Sequence, residues 1–385
     1  MSELSDIRVS IRTPWRAVAA IFALNGVLLG TWASRIPAIM QANDIGEGTF
    51  GLLLLVMGAG ALISFPFSGR LSDTLGAYRV TRAIAFAYLP ALPLLALAPS
   101  TGWLAVALFL FGITHGSMDV TMNSWATEVE KGMGRSVMSS FHAMWSLGGG
   151  LGAATGAGAV ALGLSVTLHF VLASLIFGTI FLWMSRIDWV SQTRAHDPGA
   201  PVFALPRGAL VLLGVMALAS GAGEGSVVDW SAVFLTTELH VDEASAALGF
   251  TVFSIVMVAM RMVVDRLITI FGPVTVARVS GVSAALGLTL IVSSSALGTA
   301  LAGFALMGIG YAAVWPMAFT RAACDPVVPP GQAIASVATL GYGAMLIAPP
   351  VIGFIAETFS LRVAFALLAM LALLVTLLAR VLKTD

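Results

Sequence analysis

Twelve times along this chain a run of about twenty mostly apolar residues recurs, the length an α-helix needs to cross the hydrocarbon core of a bilayer. The runs lie near 17–40, 48–70, 79–98, 101–126, 137–162, 166–186, 208–236, 246–268, 274–295, 298–320, 333–356 and 361–380. Hydrocarbon offers backbone amides no water, so each run must satisfy its own hydrogen bonds by becoming a helix. The residue-by-residue alternation of a membrane β-barrel is absent. Composition agrees, with 58% of the 385 residues hydrophobic and 10% charged, against roughly 25% charged in a soluble domain. The mean hydropathy is +0.97. The expected fold class is an all-α membrane protein with twelve transmembrane helices in two pseudo-symmetric six-helix bundles.

Basic residues orient the spans. With the N-terminus inside, Arg8, Arg12, Arg16, Arg70, Arg79, Arg82, Lys131, Arg135, Arg186, Arg194, Arg207, Arg261, Arg266, Arg278, Arg321, Arg380 and Lys383 fall on the inner side. Only Arg35 and Arg362 fall outside, where the loops carry Asp44, Glu47, Glu238, Asp242 and Glu243. By the positive-inside rule this predicts a multi-pass protein of the cell inner membrane with both termini cytoplasmic. The first run is too long for a cleavable signal and reads as a retained helix. The polar, proline-bearing stretch 188–207 reads as a cytoplasmic linker between an N-terminal bundle, 1–187, and a C-terminal bundle, 208–385.

Several function classes drop out. A net charge of zero leaves no basic footprint for nucleic acid. The single cysteine, Cys324, allows neither a disulfide framework nor a cysteine zinc cluster. No phosphate-cradling loop follows a strand, and no catalytic or metal-ligand spacing sits in a polar segment. Neither an enzyme nor a cofactor or metal site is expected. The expected partners are a small-molecule solute, protons and the lipid bilayer, with the chain acting as a monomer.

The two halves echo each other. Gly112-Ile113-Thr114-His115 and Gly308-Ile309-Gly310-Tyr311 stand 196 residues apart, and Trp32 and Trp230 stand 198 apart. Repeated halves with a site between them are a common transporter architecture.

After the second run comes Gly69-Arg70-Leu71-Ser72-Asp73-Thr74-Leu75-Gly76-Ala77-Tyr78-Arg79. Gly69 and Gly76 permit close approach and a sharp turn, and Asp73 suits a helix N-terminus. Arg70 and Arg79 are placed to pair with an acid such as Glu128 at the inner end of the fourth span. The segment resembles the loop signature G-x-L-x-D-x-x-G-x-x-R of the major facilitator superfamily. That resemblance implies a conformational latch at Gly69, Arg70, Asp73, Gly76, Arg79 and Glu128 that holds the outward-facing state. A second copy, Arg261-Met262-Val263-Val264-Asp265-Arg266, lacks the first glycine. Stretches such as Ser34-Arg35-Ile36-Pro37, Met118-Asp119-Val120-Thr121-Met122-Asn123 and Asp229-Trp230-Ser231-Ala232-Val233 are similar to the branch containing MosC and YbjJ. This branch resemblance implies a small polyol-like or amino-sugar-like substrate.

Polar groups inside spans are costly and mark candidate sites. His115, Asp119 and Asn123 at i, i+4 and i+8 share one face of the fourth span, within about 80°. The resemblance places that span, with the first, seventh and tenth, around a central cavity. Asp119 and Glu224 are the expected proton-coupling residues, Glu224 standing in Gly221-Ala222-Gly223-Glu224-Gly225, where the glycines suggest a locally broken or flexible helix. Asn25, Trp32, His115, Asn123, Trp315 and Tyr342 are the expected substrate contacts, and Arg35 with Asp229 an outer gate. The glycines from Gly148 to Gly152 are expected to pack helices closely. The leading function is proton-coupled symport of a small polar solute by alternating access. A proton-coupled exporter or facilitator is the alternative in the same class, and a transporter-like membrane sensor the alternative from another.

Overall fold

The computed structural model describes residues 12–134, 137–193, 206–328 and 330–383. Most of the linker expected over 188–207 lies outside the described residues, as do Arg8, Arg135 and Arg194. The described chain forms α1 (Pro14–Ser34), α2 (Ile36–Ala42), α3 (Glu47–Leu75), α4 (Ala77–Ala96), α5 (Thr101–Met133), α6 (Met138–Ala161) and α7 (Val166–Met184). It continues as α8 (Ala209–Glu238), α9 (Glu243–Ala246), α10 (Leu248–Phe271), α11 (Pro273–Ser293), α12 (Leu297–Tyr311), α13 (Val314–Ala323), α14 (Pro330–Thr358) and α15 (Leu361–Leu378), and closes on a 3-10 turn, Ala379–Leu382. These make the twelve predicted passes, three of them interrupted. Ten stretches are apolar and long enough to cross a membrane on those grounds alone. The other two, α4 and α6, are full length at 20 and 24 residues, with Arg79 and Arg82 diluting one and glycine the other.

The interruptions have local causes. Pro37 has no N–H for the carbonyl of Ala33, so the first pass breaks at Arg35, where φ is −113°. Pro316 likewise has no N–H for Ala312, and the tenth pass breaks at Ala312 and Ala313. Elsewhere the ends are capped by side chains: Thr13 accepts from the Arg16 amide at 3.3 Å, Ser165 from Leu168 at 3.2 Å and Ser360 from Val363 at 3.3 Å.

Both halves pair their passes in the same way. In the first half α1 packs on α6 and α7, α5 on α3 and α4, and α4 on α7. In the second half α8 packs on α14 and α15, α12 on α10 and α11, and α11 on α15. Pass for pass, these are the same five pairings, which is the pseudo-symmetry the sequence repeat predicts. Small residues permit the tightest seam. A Cβ on Gly26 would strike the Trp145 carbonyl, one on Gly148 the Ala23 carbonyl and one on Gly152 the Val27 carbonyl, so α1 and α6 meet backbone to backbone.

The two most extensive seams between the bundles are α3 with α14 and α6 with α10. At the end remote from the chain termini, Gly51 abuts Pro349 and Pro350, and Gly353 abuts Glu47. Gly149 and Gly150 face Phe250 and Ser254. Toward the termini, Gly69, on the same face of α3 as Gly51 and Gly58, has open space where a side chain would stand. The bundles touch at the far end and diverge toward the termini.

Candidate functional site

On the second bundle's wall Glu224 is buried on α8. It accepts a hydrogen bond from Ser220 Oγ at 2.9 Å and pairs with Arg261 of α10, Nη2 to Oε2, at 3.5 Å. The Trp315 indole of α13 also interacts with this carboxylate. α8 runs unbroken from Ala209 to Glu238, so the expected local break around Glu224 is absent. The glycines act instead as slots. The Trp315 ring lies against Gly221 and Gly341, and the Tyr311 ring fills the space beside Gly223.

On the first bundle's wall α5 presents His115, Asp119 and Asn123, all partly buried. Asn123 Nδ2 donates to the Asp119 carbonyl at 2.8 Å and to its Oδ1 at 3.2 Å. His115 Nδ1 lies 3.0 Å from the Tyr88 hydroxyl of α4. Between the walls stands Tyr342 of α14, 5.6 Å from Trp315 ring to ring. The carboxylates of Asp119 and Glu224 both act electrostatically on its hydroxyl. Tyr342 lies deep in the molecule yet is 42% exposed, as a side chain on an internal cleft is.

Two expected substrate contacts lie elsewhere. Asn25 and Trp32 are fully buried. Asn25 Oδ1 accepts from the Trp145 indole at 3.2 Å, and Trp32 packs against Phe50 and Phe111. Trp32 belongs to the closed far end, and Asn25 lies mid-helix within the α1–α6 seam. The expected Arg35–Asp229 gate pair is not formed. The break at Arg35 turns its guanidinium toward the short helix α9, where Nε meets Glu243 Oε1 at 2.8 Å. Asp229 is buried, with no hydrogen-bond or ion-pair partner among the described residues.

Comparison with known proteins matches residues 17–223 and 212–385 to the Major Facilitator Superfamily. The chain belongs to that superfamily. It is 54% identical over 371 residues to an uncharacterized transporter of Sinorhizobium fredii, covering 96% of this chain and 98% of the relative. It is 30% identical over 350 residues to membrane protein MosC of Rhizobium meliloti, covering 90% and 84%. A crystal structure of the nucleoside transporter NupG (D323A mutant) superposes with a TM-score of 0.75 at 12% identity, covering 97% of this chain and all (100%) of the other, a likeness of fold. The protein is a major facilitator transporter.

The superfamily's loop signature sits where α3 turns into α4. Gly76 is the hinge, with φ +89°, a conformation glycine adopts readily. Arg70 and Arg79 are exposed. Neither pairs with Glu128, which accepts instead from the Trp189 indole at 2.9 Å. Asp73 is half-buried. Arg261 to Arg266 of the second copy lie within α10, which runs on to Phe271. Arg261 is therefore at membrane depth rather than at the cytoplasmic face. Sequence reading missed it as a site residue, although an arginine inside the run 246–268 was itself the clue. Tyr88 and Ser146 carried no comparable clue, being ordinary residues until the fold brought them to His115 and Arg261.

Proposed function

We propose that this transporter carries out proton-coupled symport of a small polar solute, a polyol, sugar or amino-sugar-like molecule, by alternating access. The observation that carries the reading is Tyr342, exposed on an internal cleft between two membrane-depth carboxylates, Asp119 and Glu224. A hydroxylated ring would stack on the Tyr342–Trp315 pair and hydrogen-bond to Asp119, Asn123 and His115. An acid in such a cleft can bind and release a proton as water reaches it from alternate sides.

The protein lies in the cell inner membrane with its termini cytoplasmic, by the placement of its basic residues, and works as a monomer. Residues 188–207 tether a bundle of residues 1–187 to one of 208–385. In that orientation the cleft is open to the cytoplasm and shut at the outer face.

The test is counterflow of radiolabelled inositols, sugars and amino sugars in proteoliposomes. We expect exchange of one solute class, and accumulation of that solute when the outside is made acid. Exchange without proton-driven accumulation would leave a facilitator, accumulation against the opposite gradient an exporter, and binding without exchange a sensor.

A further inference from the structure

Arg261 makes two contacts that reach in opposite directions. Nη2 meets Glu224 within its own bundle at 3.5 Å, and Nη1 donates to Ser146 Oγ of α6, in the other bundle, at 2.8 Å. Ser146 is itself buried, and its hydroxyl donates onward to the His142 carbonyl at 3.2 Å. The serine oxygen thus both gives and receives, leaving no donor to compete with the guanidinium. One helical turn further along the same seam, Gly149 and Gly150 of α6 lie against Phe250 and Ser254 of α10. The tie stands where the closed seam ends and the cleft begins.

We infer that Arg261 is a positioning residue that passes the state of Glu224 to the other bundle, holding the α6–α10 seam shut while Glu224 carries its charge. The inference rests on reading the protein as an alternating-access carrier and names the residue that links its site to its closure. A guanidinium is a rigid planar fork, so the atom that meets Glu224 sets the direction of the atom that meets Ser146. When the carboxylate is neutralised, the buried cation has lost its counter-charge. It then turns toward the water of the cleft and the Asp119 wall, and Ser146 is released. The other groups around the pair are Ser220 on α8, Tyr311 on α12, Trp315 on α13, Tyr342 on α14 and His142 on α6. None of them is a second anion, so no group replaces Glu224 as counter-charge without movement of the guanidinium.

The experiment needs no substrate. Ser254 is 2% exposed in the seam, so a S254C reporter in a C324S background gains maleimide reactivity only when the seam opens. Labelling rates are read on the full-length purified protein. We expect S146A and E224Q each to raise the rate about tenfold, the order of one charge-assisted hydrogen bond. The double variant S146A/E224Q should be no faster than either single variant, because both act through the same guanidinium. S283A, which removes a buried hydrogen bond inside the second bundle, should leave the rate unchanged. R261K keeps the charge without the fork and should label like S146A. A raised rate in S146A with none in E224Q, additive effects in the double variant, or an equal rise in S283A would overturn the inference. If the inference holds while every counterflow assay is negative, the conformational tie stands and the transport reading alone falls.

Discussion

Arg35 of the first bundle meets Glu243 of the second at 2.8 Å, with 5% and 24% of their side chains exposed. The guanidinium also donates to the Leu164 carbonyl at 3.4 Å, so it is anchored in its own bundle while its counter-charge belongs to the other. Removing Glu243 leaves a largely buried arginine uncompensated. E243Q should cost about 2 kcal/mol, less than the 3–5 of a fully buried pair because Glu243 is partly solvated. A drop of several degrees in melting temperature, measured on detergent-solubilised protein, is the expected outcome. D229N should be neutral or stabilising, because that carboxylate has no ionic partner to lose. The reverse order of the two variants would show that Asp229 closes this end.

The α1–α6 seam makes a prediction about size alone. Gly26→Ala and Gly148→Ala drive a methyl group into the carbonyls of Trp145 and Ala23. Both should sharply reduce the yield of monodisperse protein in size-exclusion chromatography. Gly158→Ala, on the same helix as Gly148 but with nothing within 4 Å, should express normally. Equal behaviour of Gly148→Ala and Gly158→Ala would mean the seam relaxes at little cost.

The chain leaving α7 folds back on the loop signature. Tyr78 Oη donates to the Ile187 carbonyl at 2.7 Å, the Tyr78 amide donates to Ser191 Oγ at 3.0 Å, and Trp189 holds Glu128. W189F removes one of these bonds while keeping an aromatic ring, a loss of about 1 kcal/mol. Amide hydrogen exchange across 187–193 should then speed up severalfold, with α5 unchanged. Unaltered exchange would mean the segment is held by Tyr78 alone.

For coupling, Asp119→Asn should abolish proton-driven accumulation and leave counterflow of the same solute. An amide is close in shape to a protonated acid, so binding survives while proton release does not. Accumulation that persists in this variant would remove Asp119 from the coupling step and leave Glu224→Gln as the decisive test.

The passes, their halves and the polar face of α5 are legible in the sequence by itself. A bilayer forces each span to satisfy its own backbone, so length and apolar content suffice to find it, and His115, Asp119 and Asn123 share a face by helical period alone. The breaks at Arg35 and Ala313 are implicit in Pro37 and Pro316, because a missing N–H acts locally. Choice of partner is not legible. Arg35 takes Glu243 rather than Asp229 because a broken helix aims it at α9. Glu224 takes Arg261 because α10 packs beside α8 and carries Arg261 within reach of it. Glycines that suggest flexibility around Glu224 are slots for Trp315 and Tyr311, and those around Gly148 are a helix seam, as expected. A sequence states which charges the membrane must hold. Which of them neutralise each other depends on distances of a few ångströms between residues more than a hundred positions apart in some cases, and only the packing of twelve helices sets those.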